Sequence, residues 1–176
     1  MWKKFSQAFY SEHGLAFKAF TFKMNNHCLK IVPAQLSDLS KILLLESRVY
    51  QGYLPWNSTI FQAELCKNDS LYLLVYKETA LIALAGIRLQ DKEAHITNLA
   101  VDPAWQNHGL GTYLIQLLSK FAKKQQCYLI SLEVRADNER ARLLYESLGF
   151  RVRFVHANYY QDVQQDGLGM ILELRH

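Results

Sequence analysis

The sequence is poor in the residues that build disulfide frameworks and metal centres. Its three cysteines, Cys28, Cys66 and Cys127, form no Cys-x-x-Cys pair and share no zinc-type spacing with the six histidines. We therefore predict no metal site, and we interpret the cysteines as small apolar residues in a reducing compartment. His95 and His156 lie in strand-like runs, where we interpret them as half-buried packing residues.

Long apolar runs and a strong excess of one charge are also missing. No stretch approaches the roughly 18 apolar residues of a membrane-spanning helix, and no uninterrupted apolar segment follows Lys3-Lys4, as it would in a secretory signal. The 20 Lys and Arg residues are scattered among 16 Asp and Glu residues, whereas a nucleic-acid surface clusters its basic residues. We predict a soluble cytoplasmic protein without membrane or direct nucleic-acid partners.

The residues that are present divide the chain of 176 residues into two predicted parts. We expect residues 1–27 to form an N-terminal amphipathic extension, because its first three aromatic residues fall on one face of a helix. Half of the chain is apolar, which suffices for the core of one ordinary domain over residues 28–176. The aromatic residues of the extension include Trp2, Phe5, Phe9, Phe17, Phe20 and Phe22.

Hydrophobic periodicity and turn residues predict the order of elements in the domain. Turn signals at Lys77-Glu78 and Asp91-Lys92 favour an antiparallel meander, and the strand–helix–strand units that follow favour parallel pairing. We therefore predict an α/β (α+β) fold. The expected elements are strands at 29–32, 71–76, 80–89, 94–101, 128–134, 150–157 and 168–174, and helices that begin at Ser37-Asp38, Asn57-Ser58, Leu110 and Asn138.

Two of the eight glycines, Gly109 and Gly111, stand one residue apart where a helix begins, in the stretch NLAVDPAWQNHGLGTYL. The N-terminus of a helix has unpaired N–H groups and about half a positive charge, so it attracts anions. Glycines there let a phosphate approach the backbone, although tight packing between strand and helix is an alternative reason for them. The pattern is neither a P-loop nor a Rossmann fingerprint.

Two longer motifs resemble those of a known enzyme family. Gln106-x-x-Gly109-x-Gly111 after Leu-Ala-Val-Asp-Pro, and SLEVRADNERARLLYESLGF at residues 131–150, resemble the signature of the GNAT N-acetyltransferases. Together with Asn158-Tyr159-Tyr160 they resemble the branch that acetylates alanine on bacterial ribosomal proteins. The resemblance covers residues 29–174. It implies a GNAT acyl-CoA N-acyltransferase fold with a mixed, mostly antiparallel sheet flanked by helices, and a splayed parallel strand pair at the cofactor site.

The resemblance also implies acetyl-CoA as the co-substrate and assigns residues to it. Leu99, Ala100 and Val101 match the positions whose backbone holds the pantetheine arm, and Asn138 matches another cofactor contact. The pyrophosphate loop corresponds to Gln106, Asn107, His108, Gly109, Leu110, Gly111 and Thr112. A backbone N–H at the splay would stabilise the oxyanion that forms during transfer.

Two residues match the family's acid and base. Tyr145 matches the general acid that protonates the departing thiolate, although by itself it could be an ordinary residue of an amphipathic helix. Glu133 lies in a strand between Leu132 and Val134, and alternation sends its side chain to the opposite face. The resemblance implies that it is the general base, directly or through water, and the alternative is a buried pair with Arg135 or Arg140.

The acceptor implied by this branch is the N-terminal alanine of a ribosomal protein. Tyr53 and Trp56 in the turn GYLPWN, and Tyr159 and Tyr160 in a predicted loop between the last two strands, are candidate contacts for a peptide, or else a satellite hydrophobic cluster. The rival functions are acetylation of a protein lysine, a small amine or a polyamine, and acetyl-CoA binding without turnover. The presence of both Glu133 and Tyr145 argues against the last of these.

Overall fold

The computed structural model describes residues 15–160 and 164–174. The helix expected from Trp2, Phe5 and Phe9 lies outside these ranges. The elements are β1 (Phe20–Met24), β2 (His27–Pro33), α1 (Leu39–Val49), α2 (Ser58–Leu65), β3 (Ser70–Lys77), β4 (Ala80–Gln90), β5 (Glu93–Val101), α3 (Leu110–Lys124), β6 (Leu129–Arg135), α4 (Glu139–Ser147), β7 (Arg151–Tyr160) and β8 (Gln165–Glu173). None of the helices in these ranges is long and apolar enough to cross a membrane.

The strands of the described residues form one mixed sheet in the order β1-β2-β3-β4-β5-β6-β8-β7. β1 with β2, β2 with β3, β6 with β8 and β7 with β8 pair antiparallel, whereas β5 and β6 pair parallel. Two-residue connections such as Asp91-Lys92, at φ 49° and 65°, are typical of hairpin turns. The predicted α/β fold with a mixed, mostly antiparallel sheet is therefore confirmed.

The first strand was not predicted. Phe20 and Phe22 lie in β1, where half-buried and exposed residues alternate, and not in a helix. The chain turns back into β2 at Asn25-Asn26, whose φ angles are 47° and 64°. Asparagine tolerates this left-handed conformation, which a type I′ hairpin turn requires at both central positions. The two asparagines are thus the local signal for a hairpin between β1 and β2.

The chain divides into two compact units, the first extending to Gly86 and including 99–108, the second comprising 87–98 and the residues from Gly109 onward. The core of the first unit lies between its strands and the helices α1 and α2. Ile42, Leu45, Phe61 and Leu84 in this core are fully buried. Burying each such side chain contributes roughly 1.5–3 kcal/mol relative to exposure.

The core of the second unit lies along α3 and the inner side of β6. Leu114 and Leu118 on α3 are fully buried, as predicted from their helical spacing, and Ile130 and Leu132 of β6 are buried too. α4 begins where Asn138 Oδ1 accepts a hydrogen bond from the Ala141 N–H at 3.1 Å. The N-cap expected at Asn138 is therefore confirmed.

The segment Asn158-Tyr159-Tyr160 belongs to strand β7 and not to a loop between strands, which corrects the prediction. Asn158 has a φ of 50°, and the pairing with β8 shifts register between His156 and Tyr160. The bulge lets the strand continue while its side chains change direction. On β8, Gly169 leaves room for the ring of Phe154, because a Cβ there would lie 1.9 Å from Phe154 Cε2.

Candidate functional site

Strand β6 presents one polar and one apolar side, as the alternation of its sequence predicted. Leu132 and Val134 are buried, whereas Ser131, Glu133 and Arg135 between and beside them are only half-buried. Glu133 and Arg135 are two residues apart and therefore share a side of the strand. Arg135 nevertheless forms a bidentate pair with Asp137, at 2.9 and 2.8 Å.

The partner of Glu133 is His95 on the neighbouring strand β5. Nε2 of His95 lies 2.9 Å from Oε2 of Glu133, and Nδ1 of the same ring lies 2.9 Å from Oγ of Ser131. The parallel register pairs His95 with Ser131, so Glu133, two residues further along β6, is on the same side. The interpretation of His95 as a packing residue is therefore wrong, since it bridges two polar side chains of β6.

The surroundings of Glu133 keep its carboxylate ionised. The hydrogen bond from His95 lowers the pKa of Glu133, partial burial opposes this, and the charges of His95 and His156 lower the pKa further. The balance lies below the ordinary value of 4.5. At neutral pH Glu133 is consequently a negative charge on the polar side of β6.

A row of aromatic rings on β7, which we call the aromatic row, lies near this charge. His156 packs against Phe154 at 4.6 Å and against Tyr159 at 5.4 Å, and Tyr159 packs against Tyr160 at 5.0 Å between ring centroids. Burial, the neighbouring Tyr159 and then the charge of Glu133 raise the pKa of Tyr160 to about 12. The row therefore combines an apolar surface with hydroxyl groups that stay protonated.

Tyr145 is buried on α4, and its ring lies 5.8 Å from that of Phe150. Burial, followed by the neighbouring Tyr160, raises the pKa of Tyr145 to about 12. The hydroxyl group is protonated throughout the physiological range. It can donate a hydrogen bond to a developing anion, and it cannot serve as a base.

The loop after β5 is held by its own side chains. Gln106 Nε2 donates to the carbonyl of Val101 at 2.9 Å, and His108 Nδ1 lies 2.7 Å from the carbonyl of Gln106. Asp102, which follows the strand, accepts hydrogen bonds from Arg48 Nε at 2.7 Å and from the Ala104 N–H at 3.0 Å. These contacts shape the backbone that leads into α3.

Helix α3 begins at Gly109, which has a left-handed φ of 85° that favours glycine. A Cβ at Gly109 would meet no atom of residues 15–160 and 164–174 within 4 Å, so tight packing against these residues does not explain this glycine. The space beside it is open, at the end of a 15-residue helix whose first N–H groups have no partner within the helix. An anionic group such as the pyrophosphate of acetyl-CoA fits this combination of open space and helix N-terminus.

The strands β5 and β6 pair parallel at their first residues. Within the described residues their paired register runs from Glu93 and Leu129 to Ile96 and Leu132. β5 itself continues to Val101 and β6 to Arg135. The parallel pair implied by the resemblance is therefore present, and Leu99, Ala100 and Val101 follow its paired residues on β5.

The four candidate acceptor contacts fall in different units. Tyr53 and Trp56 belong to the first unit, where Tyr53 is exposed and Trp56 packs edge-on against Phe61 at 5.3 Å. Tyr159 and Tyr160 belong to the second unit and to the aromatic row. Trp56 thus has a packing role. Tyr159 and Tyr160 lie close enough to Glu133 for its charge to raise their pKa values.

Several known proteins that resemble this chain are named as acetyltransferases. Residues 37–150 match the acetyltransferase (GNAT) family. The [ribosomal protein bS18]-alanine N-acetyltransferase of Escherichia coli (strain K12) is 32% identical over 143 residues, which cover 80% of this chain and 94% of that protein. The N-alpha-acetyltransferase RimI of Mycobacterium tuberculosis is 33% identical over 129 residues, which cover 71% of this chain and 80% of that protein.

A solved structure agrees with these sequence relationships. The crystal structure of the ribosomal-protein-S18-alanine N-acetyltransferase from Escherichia coli matches this fold with a TM-score of 0.77 at 31% identity, over 84% of this chain and 95% of that chain. The family match covers well over half of the residues, and the similarity in sequence and in fold extends over 80% and 84% of this chain. The chain therefore belongs to the acetyltransferase (GNAT) family and is an N-acetyltransferase that uses acetyl-CoA.

Proposed function

We propose that this enzyme acetylates the N-terminal amine of a protein, with the N-terminal alanine of ribosomal protein bS18 as its acceptor. The observation that carries the proposal is the ionised carboxylate of Glu133 beside the aromatic row. It provides a base next to a surface that can hold the first residues of a peptide. The relative from Escherichia coli that bears this activity in its name is similar over 94% of its own length.

Acetyl-CoA supplies a thioester whose acetyl group the amine attacks directly. On the chain, Gly109, Leu110, Gly111 and Thr112 at the start of α3 would hold the pyrophosphate, together with Gln106, Asn107 and His108 of the preceding loop. The backbone of Leu99, Ala100 and Val101 would hold the pantetheine arm, and Asn138 would add a further contact. The left-handed backbone and open space at Gly109 support this assignment.

Glu133 is the general base that takes a proton from the acceptor amine, directly or through a water molecule. At pH 7 the free amine costs roughly 1.4 kcal/mol for an N-terminus of pKa ~8 and about 4.6 kcal/mol for a lysine of pKa ~10.4. The hydrogen bond from His95 lowers the pKa of Glu133, so the carboxylate is a weak base. A weak base is better matched to an N-terminal amine than to lysine.

Tyr145 donates a hydrogen bond from its hydroxyl group to the departing sulfur. Transfer of the proton from a phenol with a pKa of about 12 to a thiolate whose conjugate acid has a pKa of ~8.5 is uphill by about 5 kcal/mol. We therefore assign Tyr145 as a hydrogen-bond donor that stabilises the negative sulfur, and the sulfur takes its final proton from solvent. This refines the balanced transfer expected for an unperturbed tyrosine.

The acceptor peptide would contact Tyr159 and Tyr160 of the aromatic row. A small first residue suits a site bordered by these rings, because a large side chain would hold the nitrogen away from the thioester. A misplacement of ~1 Å can cost about 10²-fold in rate. Contacts of Tyr53 and Trp56 with the acceptor stay predictions.

A peptide panel tests the proposed acceptor. The full-length enzyme is given acetyl-CoA and peptides that differ only in their first residue, and the release of free CoA is measured. Alanine should be the best first residue, and the same peptide with a blocked N-terminus and a free lysine should be inert. Acetylation of the blocked peptide, or of a polyamine in its place, would replace this proposal with a lysine or small-amine acetyltransferase. No CoA release with any amine would indicate a binding module.

A further inference from the structure

Three polar side chains of the second unit form a continuous chain of contacts across β5 and β6. Ser131 Oγ lies 2.9 Å from Nδ1 of His95, and Nε2 of His95 lies 2.9 Å from Oε2 of Glu133. Ser131 Oγ also lies 3.4 Å from the carbonyl oxygen of Ala94. His95 and Ser131 line a cavity of about 480 Å³, whereas Glu133 does not. The imidazole ring therefore separates the carboxylate of Glu133 from that cavity.

The chemistry of the three groups determines which atoms carry hydrogen. An ionised carboxylate only accepts hydrogen bonds, so Nε2 of His95 must carry the hydrogen of its contact with Glu133. In a neutral ring Nδ1 then accepts, and the hydroxyl group of Ser131 donates to it. In a protonated ring Nδ1 donates, and the hydroxyl group can turn to the carbonyl of Ala94. Ser131 thus provides a hydrogen-bond partner for Nδ1 of His95 in both protonation states, and the hydrogen bond from Nε2 of His95 to Glu133 persists in both.

We propose that His95, anchored by Ser131, is a positioning residue for the catalytic base of this enzyme. It holds Oε2 of Glu133 and leaves Oε1 to take the proton of the acceptor amine. The inference rests on the proposed function in which Glu133 is that base. It adds two residues to which the resemblance assigns no role, His95 on β5 and Ser131, the first residue of the second motif.

The proposal also predicts how the pH dependence of the rate is set. The titratable and charged groups around His95 are Arg88 on β4, Asp91 in the following turn, Glu93 on β5, Tyr128 before β6, Glu133 on β6 and His156 on β7. The Tyr128 hydroxyl group donates to Oε1 of Glu93 at 2.5 Å, and both residues line the cavity. Glu133 is the group in direct contact with His95 Nε2, so removing His95 should change the titration of Glu133 first.

The tautomer of His95 is tested without any assay of activity. Two-dimensional NMR of the full-length protein labelled with ¹⁵N distinguishes a protonated from an unprotonated ring nitrogen. We expect Nε2 to carry a hydrogen, because it faces the carboxylate of Glu133, and the Nε2 signal should shift in Glu133→Gln. A ring protonated only at Nδ1, or an Nε2 signal unaffected by Glu133→Gln, would overturn the proposal whatever the enzyme acetylates.

Kinetics test the positioning role. In His95→Ala we expect kcat to fall roughly 10- to 100-fold with an unchanged acetyl-CoA Kd, because a ~1 Å displacement of a reacting group has this scale of effect. His95→Gln retains an N–H donor and should recover part of the loss. The acid limb of the kcat profile should move to higher pH in His95→Ala, because the pKa of Glu133 is no longer held down. Tyr128→Phe is the matched control, because it removes a hydroxyl group that binds Glu93 and leaves the side chains of His95, Ser131 and Glu133 in place.

The outcomes separate this inference from the proposed function. A kcat within twofold of the wild type in folded His95→Ala, or an unmoved acid limb, overturns the positioning role while leaving Glu133 as the base. Full activity of Glu133→Gln overturns the proposed base, and the positioning role with it, even where the NMR tautomer is as expected. Equal losses in His95→Gln and His95→Ala would show that donation to Glu133 is not what His95 contributes.

Discussion

Replacing Gly109 with alanine tests whether the open space at the start of α3 belongs to acetyl-CoA. Gly109 has a φ of 85°, and a Cβ there would meet no atom of the described residues within 4 Å. The stability cost is therefore that of a left-handed alanine, about 1–2 kcal/mol. For a chain of this size it lowers Tm by roughly 2–8 °C. The fold should survive, since single domains have ~5–15 kcal/mol of stability.

In Gly109→Ala the affinity for acetyl-CoA should fall more noticeably than the stability of the fold. A methyl group at Gly109 would keep a phosphate from the first N–H groups of α3, and one lost hydrogen bond to a charged group costs ~1.5–3 kcal/mol. This corresponds to an increase in Kd of roughly 10- to 100-fold, measured by isothermal titration calorimetry beside a thermal melt. Larger residues, as in Gly109→Val or Gly111→Val, should abolish binding.

Gly52 provides a matched control for this experiment. It has a φ of 92°, and a Cβ at Gly52, like one at Gly109, would meet no atom of the described part of the chain within 4 Å, but Gly52 lies outside the cofactor loop. Gly52→Ala should therefore show the same loss of Tm and an unchanged Kd for acetyl-CoA. Wild-type affinity in folded Gly109→Ala would refute the assignment of the pyrophosphate to this helix end.

Three further predictions concern the chemistry and the core. Glu133→Gln should lose about 10²- to 10⁴-fold in kcat, since acid–base groups contribute on this scale. Tyr145→Phe should lose roughly 10- to 100-fold, since a hydrogen bond to a charged group is worth ~1.5–3 kcal/mol. Both variants should keep their acetyl-CoA affinity; steady-state kinetics at saturating substrates decide this, and near-full rates would contradict the assigned roles. The pKa of Glu133 is lowered from 4.5 in the folded protein. Its ionised form therefore stabilises the fold above pH 4.5, and this stabilisation is lost as the pH falls through the pKa of Glu133 in the folded protein. Urea unfolding should accordingly show that the stability difference between the wild type and Glu133→Gln shrinks on acidification from neutral pH, and a constant difference would exclude the linkage. Phe61→Ala should lose about 3–5 kcal/mol of unfolding free energy in a urea titration, because the Phe61 side chain is fully buried among the core residues of the first unit. Ile60→Ala is the control, since Ile60 is exposed and its replacement should cost far less unfolding free energy.

Features that depend on neighbouring residues along the chain could be predicted from the sequence. The apolar spacing of α3 gave its bounds, Leu110–Lys124, and the capping residue Asn138 gave the start of α4. Strand alternation gave the side of β6 on which Glu133 lies. These outcomes follow from periodicity and capping, which act over a few residues and hold before any tertiary contact forms.

Predictions that needed distant partners were the ones that failed. Asn158, Tyr159 and Tyr160 follow the predicted strand 150–157 and are predicted to form a loop, yet they continue β7 because β8 supplies hydrogen bonds and its glycines leave room for aromatic rings. Phe20 and Phe22 likewise join β1 because β2 pairs with it. A strand is completed by its neighbour, so its bounds depend on residues that lie elsewhere in the sequence.

The sequence by itself determined that a carboxylate would stand on the polar side of β6 and that glycines would open the start of α3. Only the tertiary structure decided which side chain holds that carboxylate. His95 and Ser131 are 36 residues apart in the chain, and the parallel register of β5 and β6 aligns them, with Glu133 two residues beyond. A shift of one residue in that register would send His95 to the other face relative to Ser131 and Glu133. Such a register is set by the burial of apolar residues on the opposite sides of both strands, and no local pattern around His95 encodes it.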